Sequence, residues 1–116
     1  MRPESAIQAQ IRTFIAHCGF HSVTVPNGAV LSGDKEKRAR QMRSLKRDGL
    51  LPGMPDLLVY GSGGRIGHIE VKTPKGTVQD SQKAVKAWLE GLGHSYAICR
   101  SIDDTRAALT AWGWLA

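Results

Sequence analysis

Two short apolar runs flanking Gly61-Ser62-Gly63-Gly64 constrain this chain more than any other feature. The first, Asp56-Leu57-Leu58-Val59-Tyr60, has the aliphatic and β-branched content of a strand, and the glycine-rich cluster after it reads as a turn. The second run extends from about Arg65 to Thr73, where Ile69 and Val71 alternate with His68, Glu70 and Lys72. A two-residue period sends those three polar side chains to one face of a sheet. If the two strands form a hairpin across the glycine turn, the end bearing Asp56 lies beside the end bearing Glu70 and Lys72. Two acids and one base then converge.

These residue types suit phosphodiester chemistry. Mg²⁺ is a hard cation that takes oxygen ligands and keeps several waters, and a carboxylate pair completed by substrate phosphate is a usual way to hold it. Lys72 would orient the attacking water or stabilise developing negative charge. The residues alone leave a plainer reading open, in which Asp56 caps a turn after Pro55 while Glu70 and Lys72 form the solvated face of an antiparallel strand.

Around the hairpin the chain reads α, β, α, β, β, α, β, α. A first helix from Pro3 to His17 carries Ile7, Ile11, Phe14 and Ile15 as its apolar stripe, with Gly19 as its stop signal. Three residues further back the stripe reaches Glu4, an acid that the helix dipole alone would also favour there. His21 to Pro26 reads as a short strand with Asn27-Gly28 as its turn. A basic helix follows and ends at Gly49. From Asp34 to Asp48 there are seven cations, Lys35, Lys37, Arg38, Arg40, Arg43, Lys46 and Arg47, against three anions. Such a segment supplies the sequence-independent, salt-sensitive part of DNA affinity, or it is simply a solvated helix touching the core through Met42 and Leu45.

After Lys72, Thr73-Pro74-Lys75-Gly76 is a loop that offers Lys75 to a phosphate or to solvent. The helix from about Gln79 to Gly91 aligns Gln82, Val85, Leu89 and Leu92 on one face. A polar Gln82 at the end of that stripe needs a partner: Lys72, a bound water, the DNA backbone, or a loop that it caps. Gln79 is a second, weaker candidate. Ser95 to Arg100 is an apolar strand consistent with an interior parallel position. The last helix starts near Ile102 and carries Ala108, Leu109 and Trp112, with one of Trp112 and Trp114 expected over the sheet and the other in a subunit contact.

Gly53-Met54-Pro55-Asp56, a spacer of thirteen residues, Glu70-Val71-Lys72 and then Gln82 resemble the PD-(D/E)xK nuclease superfamily, and specifically its VRR-NUC branch. The resemblance runs from Glu4 to about Arg100 and is similar to small stand-alone phage and bacterial members. It implies a restriction-endonuclease-like α/β fold, a mixed central sheet flanked by helices. It implies a metal-dependent deoxyribonuclease using Mg²⁺ or Mn²⁺, held by Asp56, Glu70, Glu4 and the Val71 carbonyl, with Lys72 and Gln82 managing water and phosphate. For members of this size it further implies a homodimer acting on branched DNA such as four-way junctions.

Composition agrees. A chain of 116 residues suits one domain, residues 1–116, and 16 Lys and Arg against 10 Asp and Glu give a net charge of +6, which suits a polyanionic partner. No eighteen apolar residues run together and no leader pattern is present, so the expectation is a cytoplasmic protein without a membrane or organic cofactor. Cys18 and Cys99 lack paired spacing, so no disulfide is expected, and Cys18 reads as a small buried residue. His17, Cys18 and His21 do not have the spacing of a zinc site. Two other function classes stay open: a non-catalytic nucleic-acid-binding module using the same basic surface, and a regulatory protein that binds an acidic partner.

Overall fold

A computed structural model of the chain describes residues 3–26 and 31–116. The elements are α1 (Pro3–His17), β1 (His21–Thr24), α2 (Lys35–Arg47), β2 (Leu57–Tyr60), β3 (Ile66–Val71), α3 (Asp80–Gly91), β4 (Ser95–Cys99) and α4 (Ile102–Ala111), in the order expected. The expected Asn27-Gly28 turn lies outside the described residues. Among the described residues no helix is long and apolar enough to cross a membrane.

The glycine turn closes the hairpin. β2 and β3 pair antiparallel, with Leu57 opposite Ile69 and Tyr60 opposite Ile66. β1 adds antiparallel to β2, and β4 adds parallel to β3, giving a mixed sheet of order β1-β2-β3-β4. Because side chains alternate, the sheet has two distinct faces. One face sends Leu57, Val59, Ile69, Val71 and Cys99 into the main core with Ile11, Ile15 and Leu109 from α1 and α4. Full burial of each such aliphatic side chain contributes about 1.5–3 kcal/mol. The other face is covered by α3, whose Val85 and Leu89 pack on Tyr96 of β4.

That second layer changes the environment of β3. His68, Glu70 and Lys72 share one face as the alternation requires, but all three are buried, so this face is not solvated. β4 is parallel to β3 but stands at the sheet's edge instead of in its interior. Its apolar run is explained by burial above and below, since α4 and α3 each pack on it.

Two smaller expectations are also revised. Leu92 is not on the buried face of α3, because it is the C-cap and the chain turns away there, leaving it exposed. Cys18 is half-buried, packing against the main core, and both cysteines are free. Trp112 and Trp114 both pack within the chain and are half-buried. They stack edge-to-face on each other at 5.2 Å, Trp114 meets Phe20 at 5.3 Å, and the Arg65 guanidinium lies over both Phe20 and Trp114. The tryptophan with open surface is Trp88, 51% exposed on α3.

Candidate active site

Asp56 sits one residue before β2, where the peptide of Pro55 enters the core. Its carboxylate Oδ2 accepts from the Val71 N–H at 2.8 Å, and its carbonyl accepts from the Val25 N–H at 2.8 Å. The first bond bridges the hairpin at its open end and fixes Asp56 against the Glu70-Val71-Lys72 stretch. Gly53, three residues earlier, explains how the loop before Asp56 reaches this place. Its φ of +93° is in the left-handed region, and a Cβ there would collide with Ser81 and lie 3.0 Å from the Gln82 nitrogen. Glycine therefore lets the Gly-x-Pro-Asp loop press on the first turn of α3.

That first turn carries Gln82. Its Oε1 accepts from the Gln79 N–H at 2.9 Å, closing the N-terminus of α3, and its Nε2 donates to Glu70 Oε2 at 3.1 Å. One amide both caps its own helix and holds the carboxylate. The partner is Glu70, which differs from the Lys72, water or DNA contacts expected, and Gln79 contributes only as the cap.

Glu70 is 2% exposed, and its other oxygen, Oε1, is buried without a donor. Burial, then the neighbouring Asp56 carboxylate, close enough to share a proton, push Glu70 up to about 8, while Lys72 pulls it down and Glu4 adds to the rise. Two acids in so little solvent cannot both ionise without a compensating cation. Lys72, 8% exposed, influences Glu70 but forms no ion pair; the three ion pairs among the described residues all lie on helix surfaces. Its amine is left for another anion.

The orphaned Glu70 oxygen beside Asp56 fits a hard divalent cation, with oxygen ligands of the right type. Glu4 lies in the exposed first turn of α1, near enough to act on Glu70 electrostatically. Among the described residues no group of three or more His, Cys, Asp and Glu side chains is gathered closely enough to hold a metal ion, so Asp56 and Glu70 stand as a pair with Glu4 outside it. Lys75 is exposed on the loop following Lys72, and Lys35, Lys37, Arg38, Arg40, Arg43, Lys46 and Arg47 are all exposed on α2. A surface groove of about 420 Å³ between α1 and α4 is lined by Phe14, Thr13 and Ile102 and shares no residue with this site.

Two features were missed from sequence. Tyr96 and His68, neighbours across β3 and β4, are buried on the Glu70 face with unpartnered Tyr96 Oη and His68 ring nitrogens. Burial, then the nearby acids, raise the Tyr96 phenol, and burial with His94 lowers His68. The place of His68 on the polar face was legible in the period of β3; that of Tyr96, one strand over, and the burial of its phenol were not. Arg100, at the end of β4, gave no signal at all.

A mixed sheet flanked by helices, with Pro-Asp leading into one strand and Glu-x-Lys on its antiparallel neighbour, defines a restriction-endonuclease-like nuclease of the PD-(D/E)xK type. The VRR-NUC domain is matched over residues 4–103, and the chain belongs to the VRR-NUC family. That family is one of nucleases, hydrolases for which DNA is the implied substrate. No curated protein matches the chain.

Proposed function

We propose that this protein is a divalent-metal-dependent DNA endonuclease, using Mg²⁺ or Mn²⁺, that selects branched DNA by shape and works as a homodimer in the cytoplasm. The observation that carries the reading is the buried Glu70 beside the half-buried Asp56, next to a buried lysine without a carboxylate partner. Asp56 and Glu70 would hold the ion with the Val71 carbonyl, and Glu4, which stands outside the pair, would have to move toward it to complete the ligand set. A bound divalent ion polarises the scissile phosphate and lowers the pKa of a coordinated water. The Val71 N–H fixes Asp56, and Gln82 fixes Glu70, so neither carboxylate has to reorganise when substrate arrives. Lys72 offers its ammonium to the attacking water or to the phosphate. The α2 cations and Lys75 hold flanking phosphates, which positions DNA without reading its bases.

Shape selection is supported by the absence, among the described residues, of any further helix or finger to enter a groove. A two-fold dimer would present two sites to paired strands of a symmetric junction. The test is incubation with labelled linear duplex, flap and four-way-junction DNA, with and without Mg²⁺ or Mn²⁺, paired with gel filtration. Metal-dependent cutting that vanishes in Asp56→Ala and Glu70→Ala is expected. A wild type that shifts every substrate on a gel yet cuts none, just as Lys72→Ala does, would establish the non-catalytic binding module instead.

A further inference from the structure

We propose that Arg100 is a positioning residue that locks the Thr73–Gly76 loop so that Lys75 is presented to DNA beside Lys72; this rests on the roles given to those two lysines above. Arg100 follows the last residue of β4, and its Nη1 donates to three carbonyl oxygens of one loop: Thr73 at 2.6 Å, Gly76 at 2.8 Å and Pro74 at 3.3 Å. A guanidinium always carries its charge, so these are charge-assisted bonds, stronger than neutral ones. Otherwise the loop is closed by one backbone bond, from the Gly76 N–H to the Thr73 carbonyl at 3.0 Å.

The anchor is itself held. The Arg100 N–H donates to Asp104 Oδ2 at 2.8 Å, and the Asp104 N–H donates to Ser101 Oγ at 3.1 Å, which ties Arg100 to the start of α4. On the other side, the Lys72 N–H donates to the Cys99 carbonyl at 3.1 Å. Two consecutive residues, Cys99 and Arg100, thus fix the chain from Lys72 to Gly76. Lys75 lies inside that span and is exposed. Freed from Arg100, the loop would pay the ordering entropy of Lys75 at each binding event, and affinity would fall.

The experiment measures binding of a labelled linear duplex in metal-free buffer at several salt concentrations, using Arg100→Ala, Lys75→Ala and the double variant. Each single substitution is expected to weaken binding by about fivefold, the scale of one screened ion contact. Lys75→Ala should also flatten the slope of log K against log salt by about 0.9, whereas Arg100→Ala, which keeps the Lys75 contact and only adds its ordering cost, should leave the slope near the wild-type value. The double variant should bind as Lys75→Ala does, and Arg100→Lys, which keeps a donor cation, should recover most of the loss. Trypsin should cut after Lys75 faster in Arg100→Ala than in wild type at equal thermal stability.

Multiplicative losses in the double variant would overturn the proposal, because Arg100 would then act on DNA independently of Lys75. Unchanged affinity and unchanged cleavage after Lys75 in Arg100→Ala would overturn it as well. Arg100→Met, which keeps the apolar stem, serves if Arg100→Ala does not fold. Failure of DNA cutting alone strikes the nuclease mechanism and leaves these binding readouts standing. If the wild type binds no DNA, the DNA-presenting role is refuted with the nuclease reading, and the trypsin comparison decides the loop anchor by itself.

Discussion

Glu70 is buried beside a second carboxylate, with one oxygen lacking any donor, and this makes its ionisation a matter of stability as well as chemistry. Its folded-state pKa is raised from 4.5 to about 8, so between those values the native chain keeps a proton that the unfolded chain has lost. Stability of the metal-free protein must therefore fall as pH rises through that window, by no more than about 1.4 kcal/mol per pH unit for one proton. Thermal melts in a chelator across this range should show the decline, and Glu70→Gln should flatten it. A rising melting temperature over the same interval would refute the argument from Glu70 burial. Gln82 acts one bond away, orienting the carboxylate through Nε2. Residues that orient a metal-binding carboxylate typically cost 10–100-fold when lost, so Gln82→Ala should raise the half-maximal Mg²⁺ concentration for cleavage by about tenfold or more. Titration of cleavage rate against Mg²⁺ checks it, and an unchanged midpoint with lowered maximum would assign Gln82 to the water or the phosphate instead.

At the level of elements, tight packing at one glycine decides how the C-terminal helix sits on the sheet. Gly67 of β3 faces the main core opposite Val59, and a Cβ there would meet the six-membered ring of Trp112, 2.8 Å from its Cη2. The ring occupies the space that any side chain would need, so Gly67→Ala should cost about 1–3 kcal/mol by overpacking, measured by urea unfolding, and Gly67→Val more. A stability change near zero would mean that the ring relaxes freely. This contact also shows where sequence reading ends. The hairpin, the order of elements and the shared face of His68, Glu70 and Lys72 follow from local period and turn chemistry, which neighbouring residues set. Partners distant in sequence do not. That Trp112 fills the void over Gly67, that Gln82 reaches Glu70 and that Arg100 clamps the Thr73–Gly76 loop all depend on how α3, β4 and α4 are laid on the sheet. The edge position of β4 was misread for a related reason: apolar composition reports burial above and below a strand and is silent about neighbours beside it.

On the scale of the whole molecule, the chain is longer than its core requires. Its radius of gyration is 15.2 Å and it extends 51 × 33 × 23 Å, against a radius of about 13 Å for a compact chain of similar length. α2 accounts for the difference in kind: it has no buried residue and packs on no other helix or strand. The segment before it holds it, with Asp34 Oδ1 accepting from the Lys37 N–H at 2.8 Å and the Gln41 amide pairing with the Ser32 backbone. A helix with so little to pack against is free to be chosen for its charge, and among the described residues Arg40 alone of its seven cations has an ion-pair partner, Glu36 at 3.5 Å. Replacing Arg38, Arg43 and Lys46 together with alanine, the strongest helix former, should therefore leave the melting temperature within about 2 °C of wild type. The same variant should bind duplex and junction DNA more weakly by a common factor, and its salt slope should flatten by about 0.9 for each phosphate contact removed. A melting temperature that drops with affinity would make α2 part of the folded core after all, and an unchanged slope would move the DNA path to another face.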